Sequence, residues 1–107
     1  HTQYLFMTKQ VRINGEDYPV KFGFSALISF TDAAGLALED LENLGDGMTL
    51  GTALTLVWAG LKDGARKEKQ PFDLTVEDIA DLIDDDQDAI NNVLELFAQS
   101  FTGTQGK

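Results

Sequence analysis

Residues 11–22 read VRINGEDYPVKF, and the reading of this stretch decides how the chain begins to fold. Asn14-Gly15 joins two runs of alternating polarity, and both residues tolerate the positive φ angles that a two-residue type I′ turn requires. If Ile13 pairs with Glu16, then Val11 opposes Tyr18 and Lys9 opposes Val20, because one pair in a hairpin fixes all the others. That register gathers Met7, Val11, Ile13, Tyr18, Val20 and Phe22 on a single apolar face. Pro19 has no N–H to donate, which suits an outer strand with nothing hydrogen-bonded beyond it there.

Outward from the hairpin the period becomes helical. After Gly23, the residues Phe24, Leu27, Ile28, Thr31 and Ala34 form a stripe at three- and four-residue steps, and Gly35 is a natural C-terminal stop. A short second helix is expected around Leu38 to Leu44, ended by the GDG at 45–47. Thr49 can cap a third helix, with Leu50, Ala53, Leu54, Val57, Trp58 and Leu61 on its apolar face and Gly64 as its expected end. Lys62, Arg66, Lys67 and Lys69 cluster there, where cations complement the helix dipole. Residues 65–73 read as a polar loop. Thr75 and Asp78 then offer a capping box, with Leu74 and Ile79 as a hydrophobic staple, for a helix running through Ile83.

Five aspartates fall between Asp81 and Asp88. Counted from Asp84, the spacing places Asp84, Asp86, Asp88, Asn92 and Glu95 at oxygen positions of an EF-hand calcium loop, but the turn position that needs glycine holds Ala89. The residues beyond Asp86 fit a helix better: Ala89, Ile90, Val93, Leu94, Phe97, Ala98 and Phe101 share one face. Asp84, Asp85 and Asp86 are therefore expected at a helix N-terminus, where carboxylates accept free backbone N–H groups and suit the dipole. No metal or other cofactor is expected.

The whole is expected to be one α+β, mostly helical domain over residues 1–107: an N-terminal β-hairpin followed by about four to five short helices. Residues 1–8 and 102–107 are expected to be flexible, and His1–Phe6, ahead of Met7, read as either an addition to the natural chain or a processing remnant. Apolar residues make up 43% of the 107 residues and charged residues 24%, an ordinary globular balance. The net charge of −10 argues against nucleic-acid and anionic-membrane partners, which it would repel. Between Lys69 and Lys107 there are nine acidic residues and no Lys or Arg, a face that keeps the protein in solution or meets a basic partner. There is no cysteine, hence no disulfide or thiolate site. No apolar run approaches a membrane span, and no signal peptide is legible at the N-terminus.

Catalysis finds little to work with. The single histidine is His1, and the sequence holds no phosphate-binding loop, H-E-x-x-H or G-x-S-x-G motif. No catalytic or metal-binding residue is therefore assigned, and the protein is not expected to be an enzyme. Trp58, Leu94, Phe97 and Phe101 are the candidates for partner binding. Aromatic side chains are enriched at interface hot spots, and the short helices offer few partners to cover every apolar stripe. The bland alternative is that all four pack into the core.

The order of these elements resembles the tail assembly chaperones of long-tailed bacteriophages. The resemblance spans about residues 9–101 and rests on VRINGEDYPVKFGFSAL, FTDAAGLALEDL, LTLVWAGLKDGARKE and FDLTVEDIADLIDD. Most specific are ING with the following KFG, the AG leading into Leu-Glu-Asp-Leu, and VWAGLKDG followed by LTVEDIADLID. None is an active-site code. The resemblance implies a non-catalytic protein of the host cytoplasm that keeps the tape measure protein soluble, guides tail tube assembly around it, contacts the tail tube protein and self-associates. It also implies absence from the mature virion, and a longer form made by ribosomal frameshift near the end of this reading frame. A structural tail or head–tail connector subunit is the competing reading, and an acidic DNA-mimic inhibitor a third.

Overall fold

A computed structural model describes residues 8–37, 39–40 and 48–105, with side chains described through Gln99. The hairpin forms in the expected register. Strand β1 (Lys9–Ile13) pairs antiparallel with β2 (Glu16–Val20), with Ile13 opposite Glu16, Val11 opposite Tyr18 and Lys9 opposite Val20. Asn14 has φ +53° and Gly15 φ +87°, as a type I′ turn demands. Val11, Ile13, Val20 and Phe22 are buried on one face and Tyr18 is half-buried; Met7 lies outside the described residues. These strands form a two-stranded sheet, so helices must cover its apolar face.

Four helices are described: α1 (Phe24–Ala34), α2 (Leu50–Lys67), α3 (Val76–Asp84) and α4 (Asp88–Gln105). The expected helix around Leu38–Leu44 falls almost entirely outside the described residues. Helix α2 is the hub, packing against β2, α1, α3 and α4, while α4 also reaches β1. Phe30, Leu56, Ile79, Val57 and Val93 are fully enclosed where these elements meet. Each of them stabilises the fold by roughly 1.5–3 kcal/mol on leaving water.

Local chemistry explains most helix ends. Gly35 closes α1 in the left-handed conformation (φ +71°), and the Leu36 N–H reaches back to Thr31 O at 2.9 Å. The Thr49 hydroxyl caps α2 by accepting from Thr52 N–H. At α3 the capping box is complete: Thr75 Oγ1 accepts from Asp78 N–H, and Asp78 Oδ2 accepts from Thr75 N–H at 2.9 Å. Leu74 and Ile79, on either side of it, both join the core.

Gly64 does not end α2. The helix runs on to Lys67, and the stop lies at Lys69 (φ +60°). There Gln70 N–H bonds Ala65 O at 2.8 Å and Lys69 N–H bonds Arg66 O at 3.1 Å, the paired bonds of a Schellman motif, just before Pro71. Lysine therefore occupies a position that favours glycine, so Lys69→Gly should stabilise the fold. A urea titration should show a gain of about 1 kcal/mol.

Gly64 instead serves packing, as does Gly60. A side chain at Gly64 would overlap the carbonyl of Pro19 and lie 2.7 Å from the backbone nitrogen of Val20. One at Gly60 would lie 2.5 Å from Cζ of Phe22. The two bare positions form a slot on α2 into which the outer edge of β2 and the Phe22 ring settle. The Lys21 N–H then bonds Gly60 O at 3.0 Å.

The stripe expected on α1 is also rotated. Ala26, Leu27 and Phe30 are buried, whereas Phe24 is 72% and Ile28 61% exposed. The anchor lies just before the helix, where Gly23 N–H donates to the buried carboxylate of Asp63 on α2 at 3.1 Å. With buried Phe22 on one side of that bond, the rotation of α1 is set by its entry rather than by its own pattern. On α2 the expected face is shifted likewise, with Leu50 68% exposed and Leu56 fully buried.

Candidate binding surface

The four residues proposed from sequence do not form one surface. Phe97 is buried, its ring edge-on to Phe22 with centroids 5.3 Å apart, so it is core in the folded monomer. Leu94 is half-buried and packs against the same core. Trp58 is half-buried, its indole Nε1–H donating to Leu74 O at 3.0 Å while Lys62 Nζ sits 4.9 Å from the ring centroid. That bond pins the segment leading into α3 onto α2 and gives the indole a structural task. Phe101 lies in α4, but its side chain is outside the described residues.

The exposed apolar residues lie elsewhere. Phe24 and Ile28 are one turn apart on the same side of α1, and Leu50 opens α2. The sequence puts all three on the apolar stripes of their helices. A signal of their exposure was available: Phe24, Ala26, Leu27, Ile28 and Phe30 spread over roughly 200° of the circumference of α1, wider than one buried face.

A cleft of about 240 Å³ lies where β2, α2 and the segment before α3 meet, lined by Tyr18, Pro19, Leu61, Ala65 and residues 70–74. Burial, and after it the neighbouring Glu16 carboxylate, holds the Tyr18 phenol above its ordinary pKa. Tyr18 thus lines the cleft as a neutral phenol. Arg66, Lys67 and Lys69 are exposed nearby in the sequence.

The aspartate cluster straddles the α3–α4 joint. Asp84 ends α3 and Asp85 is its C-cap, so both face the negative end of that helix, while α4 begins only at Asp88. Asp86 does not cap α4 with its side chain as expected. Its Oδ2 accepts instead from Asn14 N–H at 2.9 Å, tying the joint to the hairpin turn. Residues 88–95, which an EF-hand loop would require, are helical. Among the described residues no group of three or more acids or histidines is placed to hold a metal ion.

Among the described residues no helix is long and apolar enough to cross a membrane. Comparison with protein-family models, curated proteins and solved structures found no match to this protein.

Proposed function

We propose that this protein is a non-catalytic tail assembly chaperone of the kind found in long-tailed bacteriophages. In that role it binds the tape measure protein, keeps it soluble in the host cytoplasm, guides the tail tube around it and is left out of the finished virion. The observation that carries this reading is the exposure of Ile28 on α1, beside Phe24, and of Leu50 at the start of α2, on a protein of net charge −10. Apolar side chains can receive a client's apolar helical face, and the surrounding charge keeps the complex in solution. A second support is the place in the fold of the segments on which the resemblance rests. ING makes the turn, KFG the entry to α1, GLKDG the slot and buried carboxylate of α2, and LTVED the capping box of α3.

The test is a double variant, Ile28→Asp with Leu50→Asp. Both positions are exposed, so thermal stability should stay within about 0.5 kcal/mol of the parent. Co-expressed with the tape measure protein, the variant should leave the client insoluble where the parent keeps it soluble. Full client solubility with the folded variant would remove α1 and the head of α2 from the binding surface. Phe101→Asp tests the last helix in the same assay.

A further inference from the structure

We propose that Asn14-Gly15 is a site of self-modification by deamidation, gated by Asp86, and that its conversion releases the hairpin from the α3–α4 joint. Asn14 and Gly15 are both exposed at the tip of the hairpin. Glycine carries no Cβ, so its backbone nitrogen is the least hindered nucleophile that could follow an asparagine. Hydroxide removes the proton from that nitrogen, which then attacks Cγ of Asn14. A new N–C bond closes a five-membered imide while the Cγ–Nδ2 bond of Asn14 breaks, and ammonia leaves with a proton from water. Water next opens the imide at one of its two carbonyls, yielding aspartate or isoaspartate.

The turn must open for this ring to close, and two contacts hold it shut. Asp86 Oδ2 accepts from Asn14 N–H at 2.9 Å, and Arg12 donates to Gly15 O at 3.2 Å. The Asp86 bond is the one that conversion cannot tolerate. Aspartate at position 14 sets a second negative charge beside the carboxylate that grips the same residue, next to Asp84, Asp85 and Asp88. Isoaspartate lengthens the backbone by one carbon, and a two-residue turn has no room for it. Either product weakens the tie between residues 72 positions apart, and the change is irreversible.

The experiment is peptide mapping by mass spectrometry of the full-length protein, incubated at mildly alkaline pH, with isoaspartate labelled by an isoaspartyl methyltransferase. Asn14 should convert to both products while Asn91 and Asn92, within α4, stay intact. Asp86→Ala, which frees the Asn14 N–H, should speed the conversion about threefold or more, the factor expected from losing one charge-assisted bond at a partly exposed site. Asn14→Asp should lower Tm by about 4 °C. Conversion of Asn91 or Asn92 as fast as Asn14 would overturn the site, and an Asp86→Ala rate equal to the parent's would overturn the gate.

Discussion

Gly64→Ala is expected to destabilise the fold by about 3 kcal/mol or more, an unusually large loss for the addition of one methyl group. Alanine is the better helix former, so propensity alone predicts a gain of up to about 1 kcal/mol at a mid-helix glycine. Packing reverses the sign. The new carbon would run into the Pro19 carbonyl and the Val20 nitrogen, and these are backbone atoms of a strand already held by β1 on its other side. No rotamer change relieves such an overlap, so β2 must move away from α2. At Gly60 the obstacle is the tip of the Phe22 ring, which can swing, so Gly60→Ala should cost less. At Gly51 nothing lies within 4 Å, and Gly51→Ala should stabilise the protein by about 0.5–1 kcal/mol. Urea titrations of the three variants check the order; a Gly64→Ala protein as stable as Gly51→Ala would show that the slot is not filled.

Asp63→Ala should cost a similar amount, about 3–5 kcal/mol, because it removes the one buried carboxylate among the described residues, which joins three parts of the fold. Asp63 is 1% exposed, accepting from Gly23 N–H at 3.1 Å and from Arg66 at 2.8 Å, with Lys21 Nζ at 3.8 Å. Arg66 is mostly in water, so its ion pair contributes little. The larger losses come from the other two. Gly23 N–H, at the entry to α1, would be left buried without its acceptor, and the Lys21 ammonium, with only 12% of its side chain exposed, would lose the nearby negative charge. Asp63→Asn separates the effects, since an amide oxygen can still accept from Gly23 but neutralises nothing. It should fall between the parent and Asp63→Ala; an Ala variant within about 0.5 kcal/mol of the parent would contradict the anchor.

The two residues mark the boundary of what could be read from sequence. Features set by neighbouring residues were legible: the Asn14-Gly15 turn and its register, the Gly35 stop, the Thr49 cap and the Thr75–Asp78 capping box. Each depends on atoms within a few residues, so a short window contains the cause. Gly64 looked like a helix stop because its function depends on Pro19, 45 positions earlier and visible only once β2 has docked. Asp63 has no local signature for the same reason, since Gly23 lies 40 positions earlier. Pro71, two residues beyond the true end at Lys69, was the better stop signal for α2.

The candidate site was less legible than the fold. Trp58, Leu94, Phe97 and Phe101 are apolar residues on helices with few partners visible in the sequence, but Phe22 arrives from the hairpin to cover Phe97, and Leu74 takes the indole N–H of Trp58. The exposure that emerges on α1 follows from the Gly23–Asp63 bond, which rotates Phe24 and Ile28 outward. A contact between residues 40 positions apart thus fixes where α1 enters against α2.

If this protein is a chaperone for a long helical client, co-expression will reveal it. The tape measure protein should be produced with and without it, and the soluble fraction of each lysate should be measured together with the material that copurifies on a tag carried by the client. The chaperone role requires an insoluble client alone, and a soluble complex of the two proteins when they are made together. An equally insoluble client in both cases, with this protein recovered instead as a fixed component of mature particles, would contradict it.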